Sequence, residues 1–303
     1  NAPAHGLAQV VGFLRLFQRP GGQGKHRSDE GHRSDGGTQE GNSALCKGAH
    51  RSVQISAYRG IQEGASEDHE RKDTEKQIMK TKRVTLFAGH YGSGKTNVAV
   101  NYAMYLRSLF DKVLIADLDV VNPYFRTKDS AEELAAAGIH LISPEFANTN
   151  VDLPALPTEM YAIVDRTDYH AVVDVGGDDS GAVALGRYVP GILEENDYEM
   201  LFVCNRFRPL TKTPADALGV MREIEAACGI PFTAIADNSN LGDETTAKDI
   251  ESSAEYVSEL SALCGLDVKF VSARHDIAPD VRGRAAEVFP LRLQKKYYDI
   301  KEG

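Results

Sequence analysis

From residue 83 onward the chain alternates short runs that are apolar on both faces with longer stretches in which apolar residues recur every third or fourth position. Residues 84–88, 113–116, 171–175, 200–204, 232–236 and 268–272 are rich in β-branched and other apolar residues without polar alternation, the pattern of strands buried on both sides. Between them, residues 96–110 carry Ala99, Ala103, Leu106 and Phe110 at helical spacing, and residues 215–228 carry Leu218, Met221, Ile224 and Cys228. A third helix is expected over 249–263, with Ile250, Ala254, Val257 and Leu260 on one side. Strand followed by helix followed by strand requires right-handed crossovers and a mostly parallel sheet with helices on both faces. The expected fold is therefore one α/β domain of three layers, α/β/α, over residues 79–284. Residues 285–303 are expected as a C-terminal helix or tail, with Leu293, Tyr297 and Ile300 on one helical face.

The text before residue 79 differs. It holds 12 of the 27 glycines and 5 of the 9 histidines, repeats His-Arg-Ser-Asp at positions 26 and 32, and sustains no apolar period. Such a segment buries too little surface to offset its chain entropy, so residues 1–78 are expected to be disordered. Met79 is the first methionine and precedes a Lys-Thr-Lys-Arg run and the first strand. The native protein is accordingly expected to begin at Met79, with upstream translation before it; the competing reading is a disordered regulatory or interaction tail.

The first strand runs directly into Gly89-His-Tyr-Gly-Ser-Gly-Lys-Thr96, which satisfies G-x-x-x-x-G-K-[ST] and opens a helix. The glycines Gly89, Gly92 and Gly94 let backbone N–H groups, with those of Tyr91, Ser93 and Asn97, converge on phosphate oxygens at a helix N-terminus. Lys95 adds a point charge for the β- and γ-phosphates, and the Thr96 hydroxyl suits Mg²⁺. Asp117 and Asp119 follow the second strand, and their i, i+2 spacing turns both carboxylates to one side of an extended chain. One is suited to orienting a water and the other to supporting a metal shell. Asp174 ends the next apolar strand, the place of a carboxylate that holds Mg²⁺ through water, and Gly176 and Gly177 let the chain pass close to a γ-phosphate. The expected phosphate-loop nucleotide site thus names Lys95, Asp117 and Asp119 as catalytic and Thr96, Asp117 and Asp174 as metal-binding.

With these residues the chain resembles the MinD and ParA group of P-loop ATPases, within the class that includes nitrogenase iron protein, dethiobiotin synthetase and cobyrinic acid a,c-diamide synthase. The resemblance spans about residues 82–280 and rests on the loop, the Asp117-Leu-Asp119 pair and Asp174-Val-Gly-Gly177. It implies ATP and Mg²⁺ as ligands, with Asp119 positioning the hydrolytic water, Asp117 beside the metal, and a nucleotide-dependent homodimer that engages a protein partner. It also implies an adenine-reading Asn after a late strand, which points to Asn238, with Asn205 as the rival. Among this chain's own features, no N/T-K-x-D guanine signature is present, which favours ATP over GTP. The chain departs from the family where a Lys follows the first Gly of the loop: His90 stands there, followed by Tyr91. A neutral imidazole does not replace a permanent cation, and Arg206 and Arg208 are the alternative sources of charge.

Charge and cysteine usage narrow the class further. Of a net charge of −10, residues 79–303 contribute 23 Lys and Arg against 34 Asp and Glu, which argues against general binding of nucleic acid. Arg282, Arg284 and Arg292 make a small basic patch without a recognition motif. No run of 18 apolar residues occurs, which argues against a membrane span. Cys46, Cys204, Cys228 and Cys264 lack metal spacing and suit a reducing cytoplasm. Three functions are consistent with these residues: an ATPase switch, an ATP-dependent synthetase or kinase whose acceptor loops are 144–157 and 205–213, and a nucleotide sensor that does not hydrolyse.

Overall fold

The computed structural model describes residues 81–119, 127–144, 157–177, 179–281 and 286–294. In chain order its elements are β1 (Val84–Ala88), α1 (Lys95–Leu109), β2 (Val113–Leu118), α2 (Ala131–Ala137), β3 (His140–Ile142), α3 (Ala162–Asp165), β4 (His170–Val175) and α4 (Asp179–Gly186). There follow α5 (Val189–Glu195), β5 (Tyr198–Cys204), α6 (Pro214–Cys228), β6 (Ala234–Asp237), α7 (Ala247–Ser252), α8 (Ala254–Cys264), β7 (Val268–Arg274) and β8 (Glu287–Leu291). The strands form one sheet in the order β3-β2-β4-β1-β5-β6-β7-β8, and every neighbouring pair is parallel. The chain is a three-layer α/β protein of the phosphate-loop nucleotide-binding fold.

The absence of polar alternation in the strands has its cause in the two faces. One carries Leu86, Leu114, Val173 and Phe202 under α4, α5, α6 and α8. The opposite face carries Phe87, Ile115, Val172 and Leu201 under Val98, Tyr102 and Leu106 of α1 and Leu134 of α2. Each fully buried large side chain contributes about 1.5–3 kcal/mol. A carboxylate, Glu199 of β5, is also buried; it accepts hydrogen bonds from Thr85 Oγ1 (3.0 Å) and Tyr102 Oη (3.1 Å) and pairs with Lys269, so its charge is compensated. Arg83 closes the start of β1 by pairing with Glu195 and donating to the Ile163 carbonyl at 2.9 Å.

The six expected strands form, with β6 beginning at Ala234 rather than Phe232; the Phe232 ring instead packs edge-on against Phe202, 5.2 Å between centroids. β3 is too short for a periodic signal. The expectation of a terminal helix or tail over 285–303 is corrected for residues 287–291, which form β8 at the sheet edge, where Pro290 costs no ladder bond. Val288 packs toward Val271, while Phe289 makes tilted and edge-on contacts with Tyr102, Tyr105 and Phe270, so alternate residues bury opposite faces. Tyr297 and Ile300 lie outside the described residues, as do residues 1–80 and Arg282 and Arg284. The helix expected over 249–263 is two helices, α7 and α8, divided at Ser253, whose buried Oγ donates to Asp237 Oδ2 at 2.6 Å. Cys204 and Cys228 are buried and free, and Cys264 is half-buried, in agreement with their reading as core residues. Among the described residues no helix is long and apolar enough to cross a membrane.

Candidate functional site

The sheet order places the candidate residues. β1 lies between β4 and β5 although β2 follows it in the chain, so the crossovers diverge at β1 and open a crevice at the C-terminal ends of the strands. Phe87 of β1 is in register with Asp174 of β4, and Asp174 is in register with Asp117 of β2. Two carboxylates from strands far apart in sequence therefore stand side by side at the loop that leaves β1.

That loop enters α1 through Gly94, whose φ of 84° is left-handed and unfavourable for residues with a Cβ; a Cβ there would also stand 2.3 Å from Asn238 Nδ2. α6 and α7 are closed by Thr–Asp capping boxes, Thr213 with Asp216 and Thr246 with Asp249. α1 has no side-chain cap, so its first-turn N–H groups remain available to an anion. Inside the loop Ser93 N donates to the His90 carbonyl at 3.0 Å, and Ser93 Oγ is buried without a hydrogen-bond partner. Tyr91 stands exposed at the rim.

Lys95 reaches beneath the loop and donates to Asp119 Oδ2 at 2.9 Å, with both side chains about 4% exposed. Asp117 Oδ1 accepts the Asp119 backbone N–H at 2.9 Å, which fixes the turn after β2 and holds the second carboxylate against Lys95. Asp174 Oδ2 accepts from Thr127 Oγ1 at 3.2 Å, while Asp174 Oδ1 is buried without a partner. Burial, and next the adjacent Asp174 charge, push Asp117 up to about 8. Burial likewise lifts Asp174 to about 6, against the pull of Lys95 and of the Thr96 and Thr127 hydroxyls. Burial works to lower the Lys95 pKa, but Asp174, Asp119 and Asp117 outweigh it and hold the ammonium above its ordinary value. Burial thus favours the neutral form of Asp117, while the three carboxyl groups around Lys95 favour its charged ammonium.

Among the described residues no group of three or more His, Cys, Asp or Glu side chains forms a ready metal cage. The donors do fit Mg²⁺, which keeps waters and shares phosphate oxygens rather than requiring an all-protein cage; the unpartnered Asp174 Oδ1 is a free acceptor for such a hydrated cation. Gly177 follows β4 and presses on the loop: a Cβ on it would lie 2.9 Å from Tyr91 N and 3.0 Å from the Gly89 carbonyl oxygen. The expected residues Gly89, Lys95, Thr96, Asp117, Asp119, Asp174 and Gly177 thus occur together.

Beside the loop is a pocket of about 350 Å³, bounded by Gly92, Lys95, Thr96, Asn97, Arg208 and Asn238, and on its far side by Thr245, Ile250, Ser272 and Ala273. Asn238 Nδ2 donates to the Ser93 carbonyl at 2.7 Å and its Oδ1 accepts from Ser272, so its amide braces the phosphate loop. The rival Asn205 is fully buried and ties the turn after β5 to Asn240. A wall absent from the sequence reading is formed by Leu291, Leu293 and Gln294. The chain after β8 is bound to α1, where Asn101 exchanges two hydrogen bonds with the Arg292 backbone (2.9 and 2.8 Å) and Asn97 Oδ1 accepts from Gln294 N at 3.0 Å. The only sequence signal for this wall is Asn97 and Asn101 at i, i+4 just inside the helix. Thr127 was missed as well, because it lies 47 positions from the carboxylate it touches. Val120–Pro123 and residues 145–156, part of an expected acceptor loop, lie outside the described residues.

No protein-family model matches the chain, and no curated protein matches it. Among solved structures it is similar to the signal recognition particle receptor FtsY from Elizabethkingia anophelis, at 16% identity and a TM-score of 0.39 over 75% of this chain and 66% of that one. It is also similar to the cell division protein FtsY from Thermotoga maritima, at 16% identity and a TM-score of 0.44 over 63% of this chain and 61% of that one. A third is the signal recognition particle 54 kDa protein from Aeropyrum pernix in complex with GDP, at 17% identity and a TM-score of 0.39, covering 74% of this chain and 53% of that one. The chain therefore spans from about half to about two thirds of the length of these structures.

Proposed function

We propose that this chain binds ATP with Mg²⁺ and hydrolyses it, acting as a nucleotide-dependent switch of the MinD and ParA kind in the cytoplasm. The observation that supports this reading most is the meeting of Lys95, Thr96, Asp117, Asp119 and Asp174 at the open N-terminus of α1, all buried. In this reading the loop amides of residues 89–97 and Lys95 bind the phosphates. Asp119, released from Lys95, orients the attacking water, and Asp117 and Asp174 flank it. Mg²⁺, held by Thr96 and through water by Asp117 and Asp174, would neutralise charge on the phosphates. Gly177, pressed on the loop, gives β4 a way to respond when the γ-phosphate leaves, and so to alter a surface read by a second copy or another protein. Asn238, in the pocket wall, is the proposed contact for adenine. Phosphate release by the wild-type chain and by Lys95→Ala and Asp119→Ala tests the reading. Lys95→Ala should abolish binding, and Asp119→Ala should bind ATP and lose about 10²-fold or more in turnover; unchanged turnover in Asp119→Ala would refute its role.

A further inference from the structure

The cations and anions at the loop do not balance. Lys95 is buried and already paired with Asp119, while the Asp174 carboxylate adjoins it. A bound triphosphate adds several negative charges, so one lysine leaves an anionic excess even with a divalent cation present. Of the two arginines after β5, Arg206 is engaged: it donates to the Ser252 carbonyl and lies over the Phe207 ring. Arg208 is different. Its Nε would lie 3.7 Å from a Cβ on Gly92, it borders the pocket beside Lys95 and Thr96, and among the described residues it has no ion-pair partner.

The backbone beneath Arg208 is fixed. Its N–H donates to the Asn205 carbonyl at 3.1 Å, and its carbonyl accepts from Thr211 N at 3.2 Å. Asn205 Oδ1 in turn accepts from Phe207 N at 3.0 Å, and Thr211 Oγ1 donates to the Asn205 carbonyl at 2.7 Å. A fixed turn that carries an exposed, planar guanidinium beside a phosphate loop suits bidentate phosphate binding.

We propose that Arg208 is a catalytic residue acting within its own chain, its guanidinium binding phosphate oxygens of the nucleotide held by the loop at residues 89–96. The proposal rests on the nucleotide-hydrolase reading above and adds to it the source of the second cation. In the step, water oxygen bonds to the γ-phosphorus and the bond from that phosphorus to the bridging oxygen breaks. The electron pair leaves on the diphosphate, and the water proton passes to the released phosphate. Arg208 transfers nothing; it stabilises charge as that bond breaks.

The test uses the full chain with ATP and Mg²⁺. Arg208→Ala should lower kcat about 10²-fold and Arg208→Lys should recover part of the loss, both with an unchanged thermal midpoint because Arg208 is exposed, and Arg206→Ala should keep kcat within about twofold of wild type. Mixing Arg208→Ala with Asp119→Ala separates cis from trans: an intact Arg208 offered across an interface would restore turnover, whereas a cis residue gives no gain. Restored turnover, or an Arg208→Ala variant equal to wild type, overturns the proposal. Should the wild-type chain bind ATP without turnover, a Kd weakened about tenfold in Arg208→Ala supports the assignment, and an equal Kd overturns it. A wild-type chain that binds no nucleotide refutes the hydrolase reading itself, and this assignment with it.

Discussion

Lys95 Nζ donates to Asp119 Oδ2 across 2.9 Å, so the loop cation and the proposed water-orienting carboxylate are held against each other. In the proposed function phosphate competes with Asp119 for the same ammonium. Asp119→Asn removes the competitor while preserving shape. This variant should bind ATP at least as tightly as wild type and turn over about 10²-fold more slowly. Calorimetric titration together with single-turnover hydrolysis checks both halves, and weaker binding by Asp119→Asn would show that the pair does not compete with phosphate.

The raised pKa of Asp117 sets a pH dependence of stability. The unfolded chain releases this proton near the ordinary carboxyl value of 3.8, and the folded chain holds it up to about 8. Between those values the folded state binds more protons, so the contribution of Asp117 to stability is full below about pH 4 and is lost as the pH rises through 8. Asp174, raised to about 6, acts in the same sense. Asp117→Asn should therefore gain stability relative to wild type as the pH rises from 5 to 8, measured by urea unfolding without nucleotide. A constant difference across that range would contradict the assignment.

Gly177 is held to the smallest side chain by the loop itself. In Gly177→Ala the added methyl would sit 2.9 Å from Tyr91 N, where the facing atoms are backbone and yield only by displacing the phosphate loop. The expected cost is about 1–3 kcal/mol of stability, with a further loss of ATP affinity. Thermal unfolding with and without ATP separates the two. A variant with wild-type stability and affinity would show that β4 does not bear on the loop.

The segment after β8 forms part of the pocket wall through Asn101 and Asn97. Asn101→Ala removes both bonds to the Arg292 backbone, costing about 1–3 kcal/mol if those groups stay unsatisfied. It should also weaken nucleotide binding, because Leu293 and Gln294 are then tied to α1 by the Asn97 bond alone. Unfolding and binding titrations on Asn101→Ala measure these effects; unchanged Kd would place the wall outside the nucleotide site.

The residues that were legible in the sequence owe it to local signals. Gly89 to Thr96 is a contiguous motif between a strand and a helix, and Asp117, Asp119 and Asp174 each mark a strand end, so topology alone brings them together. The parallel sheet was legible for the same reason, since strands buried on both faces lack polar alternation. What escaped depends on distant contact. β8 reads as weak helix or tail because its identity as a strand comes from pairing with β7 and from the Phe289 ring among Tyr102, Tyr105 and Phe270. The division at Ser253 follows from its bond to Asp237, 16 positions earlier, which no helical period records. Arg208 was one of two equivalent arginines until the fold engaged Arg206 elsewhere.

The measurement that bears most directly on the account is phosphate release from ATP and from GTP by the full chain with Mg²⁺, beside Lys95→Ala, with molecular mass recorded in each nucleotide state. Slow hydrolysis of ATP, lost in Lys95→Ala, is expected, with a mass increase when ATP is bound. An absence of ATP binding, or hydrolysis that survives in Lys95→Ala, would contradict it.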